Sequence, residues 1–342
     1  MNHSTFVTKS LSRRRFLVAS AGAVGAVALA GNGRNVVAQG GKPAEVRLDY
    51  AYYNPSSLVL RRQGWLEQEL GSEGIKVTWT LSAGSNKANE FLRSEAIDFG
   101  STAGSAALLA KTNGSPILTV YIYSQPEWTA IVVPKDSTIA DVASLKGKKV
   151  AATKGTDPYF FLLQSLNEVG LRQADVEIVN LQHSDGKTAL ERGDVDAWSG
   201  LDPFMAQTEI EQGSKLIYRN IAFNTYGFLN ARGTFLEQYP AYTERILAQY
   251  ERARAWIQAD PEGTVTILAE EAKLKPEVAR KELVERTKLD GSPVPGEEHA
   301  KVLEGIIPIF EAENQLTPGA DANKSLDELF APSFITAVAA QT

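Results

Sequence analysis

Apolar positions recur with two different periods along this chain, and the change between them divides it. Up to residue 230, short β-rich runs alternate with amphipathic or N-capped stretches, the pattern of an α/β protein. Val46–Tyr52, Ile75–Leu81, Ile97–Gly100, Pro116–Ser124 and Ala130–Val133 read as strands, with Gln125 and Pro126 breaking between the last two. Helices are predicted over Ser56–Leu70, Ser85–Arg93 and Ser105–Lys111, the last ended by the Asn113–Gly114 pair. From Val142 the order repeats: strand Val150–Ala152, a helix starting at Pro158, strand Val176–Asn180, helix Lys187–Arg192, strand Ala197–Leu201, and a helix starting at Pro203. Beyond Tyr239 the period becomes helical, with Ile246, Leu247, Tyr250, Ala253 and Ile257 on one stripe. That tail is predicted as helices Ala241–Ala259, Pro261–Ala272, Lys275–Thr287 and Pro295–Asn314, without strands and packed on the first lobe, with a frayed end from Ser333 to Thr342.

The expected architecture is therefore α/β with two lobes, each a mixed sheet flanked by helices, plus a helical C-terminal extension. Residues 44–125 together with 230–330 form the first lobe, and residues 126–229 the second. Two lobes also suit a length of 342 residues, more than one hydrophobic core usually serves.

The first 38 residues follow neither period. Ser12, Arg13, Arg14, Arg15, Phe16 and Leu17 precede an apolar run from Val18 to Ala30, the form of a twin-arginine export signal. The run is shorter than the roughly 20 residues of a membrane-spanning helix. This segment holds five basic residues (Lys9, Arg13, Arg14, Arg15 and Arg34) and no acidic one, so the formal net charge of −6 falls to about −11 without it. Such a balance argues against nucleic acid and anionic lipid as partners. The chain contains no cysteine, which removes disulfides, thiolate metal sites and a cysteine-linked lipid anchor. The expectation is export to the periplasm of a Gram-negative-type cell.

The strand-to-helix junctions carry the candidate chemistry. Asn54-Pro55-Ser56-Ser57, Ala83-Gly84-Ser85-Asn86, Thr102-Ala103-Gly104-Ser105, Gly155-Thr156-Asp157-Pro158 and Asp202-Pro203 each set a hydroxyl, Asx or Gly before a helix. Each leaves free N–H groups and a positive dipole end at the C-terminal edge of a sheet, where ligands of open α/β sheets sit. Such ends suit phosphate, sulfonate, nitrate or carboxylate. Any one junction alone is explained by helix capping; their convergence suggests an anion site. Tyr52, Tyr53, Trp128, Tyr159, Trp198 and Tyr226 lie near strand ends and could cover an organic body, whereas Phe160 reads as core. The candidate ligand-binding set is Tyr53, Asn54, Gly84, Ser85, Asn86, Thr102, Gly104, Ser105, Trp128, Thr156, Asp157, Tyr159, Trp198, Asp202 and Asn224. Asp202 with Pro203 reads as a helix cap, or alternatively as a contact for a ligand ammonium.

An enzyme is not expected. His183 and His299, the histidines outside the export segment, fall in no nucleophile elbow, zinc spacing or triad, and no phosphate loop or dinucleotide fingerprint is present. No cofactor and no metal are predicted.

The runs GWLEQEL, GIKVTWTLSAGSNKANEFLRSEAIDFG, AIVVPKDSTIADVASLKGKKVAATKGT and ALERGDVDAW with LDPF, between Val46 and Asn230, resemble the aliphatic-sulfonate-binding proteins of ABC importers. These group with nitrate, taurine and thiamine-precursor binders. The resemblance implies a type II periplasmic binding fold that closes by hinge motion on a small organic anion, docks on the importer's permease and acts as a monomer without lipid anchor. It places the anion loops on Gly84, Ser85 and Asn86, on Thr102, Gly104 and Ser105, and on Thr156 and Asp157. Asp157 departs from the family's pattern, which has Asn there, and Ser199, Gly200 and Leu201 are smaller or less aromatic than their counterparts.

Overall fold

The computed structural model describes residues 41–340, so the export segment lies outside the described residues. Eleven strands follow in chain order: β1 Glu45–Tyr50, β2 Lys76–Leu81, β3 Phe99–Ala103, β4 Ile117–Pro126, β5 Ile131–Val133, β6 Lys149–Ala152, β7 Glu177–Asn180, β8 Ala197–Ser199, β9 Lys215–Tyr218, β10 Gly227–Arg232 and β11 Thr287–Lys288. They form two sheets, one of six strands in the order β11-β4-β10-β3-β1-β2 and one of five in the order β7-β6-β8-β5-β9. In the first, β1 runs parallel to β2 and β3, while β10 runs antiparallel to β3 and β4. In the second, β6 is parallel to β7 and β8, and β5 is antiparallel to β8 and β9. The chain leaves the first sheet after β4 and returns to it at β10.

Each parallel pair needs a crossover helix, and the junction residues supply its start. Asn54 caps helix Pro55–Gln63 by accepting the Ser57 N–H, and Gly64, at φ 65°, ends it. The left-handed turn at Gly64, which glycine takes without steric cost, splits the single helix predicted over Ser56–Leu70 into Pro55–Gln63 and Trp65–Gly71. Helix Ser85–Arg93 matches its prediction.

The tail departs from expectation in three ways. The stretch predicted as one helix over Lys275–Thr287 is helix Pro276–Arg280, a π-helical turn Lys281–Glu285 and then β11, which adds an edge to β4. The expected frayed end holds helix Ser333–Ala339, whose Ile335 and Val338 are buried beside helix Pro240–Ala259. And the tail is not confined to the first sheet. Helices Pro240–Ala259 and Pro261–Ala272 do cover it, with Ile246, Leu247, Tyr250 and Ala253 fully buried in its core. Helix Ile307–Ala312, however, packs on helix Asp157–Glu168 beside the second sheet, Phe310 meeting Phe160 with ring centroids 4.9 Å apart. The strands β9 and β10 also went unforeseen.

Candidate functional site

Two helix starts meet between the sheets. Helix Gly104–Thr112 follows β3, and helix Asp157–Glu168 follows β6. Gly104 is required where it stands: its N–H donates to the Thr225 carbonyl at 3.1 Å, and a Cβ there would lie 2.4 Å from that same oxygen. This close approach brings Ser105 against Asp157.

The Asp157 carboxylate, 1% exposed, is the centre of the arrangement. Its Oδ1 accepts from Ser105 Oγ and from Thr225 Oγ1, each at 2.6 Å, and its Oδ2 accepts from Trp128 Nε1 and from the Thr225 N–H, each at 2.9 Å. Four donors saturate the lone pairs of one carboxylate. They come from separate parts of the chain: Ser105 from the helix after β3, Trp128 from the link between β4 and β5, and Thr225 from the link between β9 and β10. Burial pushes the Asp157 carboxyl upward in pKa, opposed by the hydrogen bonds from Ser105, Thr225 and Trp128.

Beside this carboxylate lies a cavity of about 10 Å³ lined by Tyr53, Ser85, Ala103, Trp128, Thr156, Pro158, His183 and Leu201. Tyr53 donates its hydroxyl to the Ser101 carbonyl at 3.0 Å and sets its ring edge-on to Trp128. Ser85 Oγ accepts the Ala103 N–H at 2.9 Å. His183 begins the helix after β7 and is 1% exposed. Its Nδ1 lies 3.1 Å from Thr153 Oγ1, which gives its own proton to the Leu181 carbonyl at 2.6 Å. Thr153 can therefore only accept, so Nδ1 carries the imidazole proton and Nε2 presents a lone pair. Nε2 has no hydrogen-bond partner among the described residues. Burial draws the His183 pKa down to about 3, which keeps the ring neutral. A Cβ on Gly84 would lie 2.9 Å from this nitrogen, so the junction glycine and the histidine fit one another. A larger hollow of about 180 Å³ opens next door, past Tyr53, Leu201, Ser82, Gln182 and Phe204.

The structure thus brings together Tyr53, Gly84, Ser85, Gly104, Ser105, Trp128, Thr156 and Asp157 of the candidate set. It sends the others elsewhere. Asn54 is fully buried, its side chain spent on Ser57 N–H and Ser101 Oγ. Thr102 lies in the sheet, accepting from Asn230 Nδ2 at 2.7 Å. Asn86 lines a separate hollow with Asn89, Arg93 and Gly155, yet its Oδ1, buried without a partner, lies 2.8 Å from where a Gly84 Cβ would stand, on the same glycine as His183. Tyr159 turns away from the cavity, its hydroxyl bonded to Gln173 and Gln315 and its ring against Phe160. Trp198 is core: it lies so close to Gly186 that a Cβ there would come within 2.6 Å of Nε1. Asn224 accepts the Thr129 N–H and donates to the Asn220 carbonyl, tying the links between sheets. Asp202 accepts the Ala206 N–H at 2.8 Å, as a cap should, and is ion-paired with Arg286, while it also lines the larger hollow beside Tyr53 and Leu201.

His183, Thr225 and Leu201 were not among the candidates. His183 had a usable signal: it stands at a strand-to-helix junction like the others. Among the described residues no group of three or more His, Asp or Glu side chains could hold a metal ion.

Two mixed sheets joined by crossing links, with helix starts converging between them, form the fold shared by solved periplasmic binding proteins. The chain belongs to the NMT1/THI5-like family, which it matches over residues 58–264. It is 31% identical to a protein of Bacillus subtilis (strain 168) named as an aliphatic sulfonates-binding protein, over 62% of this chain and 65% of the relative. A protein of Escherichia coli (strain K12) with the same name is 27% identical over 82% of this chain and 88% of its own length. Among solved structures, the alkanesulfonate-binding protein SsuA from Xanthomonas axonopodis pv. citri, bound to MOPS, superposes with a TM-score of 0.75 at 24% identity, covering 83% of this chain and 98% of its own. That likeness establishes the shared fold.

Proposed function

We propose that this chain is the periplasmic solute-binding component of an ABC importer, capturing an aliphatic or related organosulfonate between two lobes and handing it to the permease as a monomer. The first sheet with most of the tail is one lobe and residues 126–229 are the other, closing by rotation about the links that carry Trp128 and Thr225. The observation that carries this reading is the convergence of two helix starts on one buried negative charge, with donors drawn from both sides of the cleft. A site that gathers hydroxyl, indole and backbone donors around a single anion is chemically suited to a sulfonate headgroup. Two relatives carry sulfonate-binding names, in line with this reading.

A second reading keeps the fold and takes a solute with an N–H group, such as a pyrimidine. The unpartnered acceptor Nε2 of His183 favours it. Titration calorimetry and thermal-shift measurements with short alkanesulfonates, taurine, nitrate and pyrimidines separate the two. Saturable stabilisation by alkanesulfonates is expected; a panel in which only a pyrimidine binds would overturn the sulfonate assignment.

A further inference from the structure

A sulfonate and the Asp157 carboxylate carry the same sign of charge and seek the same donors. The four hydrogen bonds on Asp157 leave its oxygens no capacity for a solute contact. They also leave Ser105, Trp128 and Thr225 no side-chain proton for a solute headgroup. The Ser105 N–H is committed too, donating to Thr225 Oγ1 at 2.8 Å. The adjoining cavity of about 10 Å³ holds no more than one water-sized group. Two anions cannot occupy this volume and share these donors.

We propose, building on the sulfonate reading, that these donors form an anion hole which the chain fills with its own carboxylate, so that Asp157 is a tethered competitor for the solute's headgroup. Asp157 thereby sets how strongly an anionic solute must bind in order to enter. Two independent observations point to a ligand at this place. One is the carboxylate itself, which reports what the hole is built to hold. The other is His183 Nε2, buried at the cavity wall with an acceptor lone pair that no donor among the described residues meets. This acceptor serves only a solute that carries an N–H or O–H besides its anionic headgroup; a plain alkanesulfonate would use the hole without it. The design also differs from an ordinary helix cap, which uses one or two backbone N–H groups of its own helix. Here all four donors come from outside the helix that Asp157 begins.

The test is to remove the tether and offer the anion separately. Asp157→Ala and wild type are followed by thermal unfolding in increasing acetate and methanesulfonate, and by calorimetry with a short alkanesulfonate. The variant is expected to melt below wild type, to regain stability saturably as acetate or methanesulfonate is added, and to bind the alkanesulfonate about tenfold more tightly than wild type. Wild type should show no saturable response to acetate. Should the Ala variant fail to fold, Asp157→Asn keeps the shape, drops the charge, and is expected to show the same gain in alkanesulfonate affinity. A folded variant that responds to acetate no more than wild type does, or that loses alkanesulfonate affinity, would overturn the proposal. Acetate rescue without alkanesulfonate binding by either protein would uphold the anion hole and reject the sulfonate as solute.

Discussion

Arg286 places Nη1 3.1 Å from both carboxylate oxygens of Asp202, with its side chain 4% exposed and that of Asp202 fully buried. Its Nη2 also reaches Glu209, on helix Phe204–Gln212. Arg286 stands just before β11, so one guanidinium joins the tail strand of the first sheet to the junction after β8 of the second. Burial raises the Asp202 carboxyl toward about 6, and the Arg286 charge opposes that rise. Removing one partner of a buried pair leaves the other charge unpaired, which costs about 3–5 kcal/mol. Arg286→Ala is therefore expected to lose about that much in urea unfolding, and Arg286→Ala with Asp202→Asn to lose less than the single variant. A single variant within ~1 kcal/mol of wild type would contradict the buried pairing.

His183 gives the fold an acid-sensitive term. Its folded pKa of about 3 lies below the ordinary 6.5, so the neutral ring contributes stability in full above pH 6.5 and loses it as pH falls from there toward 3. Asp49, buried and held by Ser101, works in the other sense. Burial lifts it from 3.8 to about 6, so its contribution is complete below pH 3.8 and is lost as pH rises through 6. The two trends overlap, and a substitution separates them. Subtracting the pH–stability curve of His183→Gln from that of wild type should leave a difference that is flat above pH 6.5 and falls below it. A difference independent of pH would mean that His183 is not buried as a neutral ring.

Gly104 has no room for a methyl group, the nearest obstacle being the Thr225 carbonyl oxygen at 2.4 Å. Because that oxygen is backbone, relief requires the β9–β10 link to shift. Gly104→Ala should cost about 1–3 kcal/mol and weaken solute binding as well, since Thr225 supplies two of the donors to Asp157. Unfolding and calorimetry on one preparation would show whether both effects appear.

Trp198 belongs to the core of the second sheet, and its substitution distinguishes core from cleft wall. Trp198→Ala is expected to lose about 3–5 kcal/mol. Trp198→Phe, a milder truncation, should melt lower than wild type yet keep solute affinity within about twofold, a difference well under 1 kcal/mol. A large loss of affinity in the Phe variant with an unchanged melting temperature would return Trp198 to the cleft.

Local chemistry explains why so much of the site could be read in advance. Gly84, Ser85, Gly104, Ser105, Thr156 and Asp157 announce themselves as helix starts, because capping depends on neighbours in sequence, and fold topology then gathers such starts at one sheet edge. Sidedness was harder. Tyr159 is two residues from Asp157 yet points the other way around the helix, and Trp198 sits on β8, only three residues long, where no alternation could establish its face. Asn224 and Tyr226 stand out in the sequence while Thr225 between them does not, because its partner Asp157 lies 68 residues away; β10, which follows, has its first five residues all buried, so the period-two pattern of a half-exposed strand is missing. Arg286 acquires its role only from a partner 84 residues away, and His183, although it stands at a junction, has its tautomer set by one 30 residues away.

Trp128 lends the molecule a further property. One of five tryptophans in the chain, it ends its indole N–H on the Asp157 carboxylate while its ring meets Tyr53 at an interplanar angle of 89°. A negative charge held against the indole nitrogen perturbs both the ring's emission and the exchange of its proton with solvent. Whatever moves Asp157 must alter that light and that exchange, so a solute that displaces Asp157, as proposed above, would be reported by Trp128 without any attached dye.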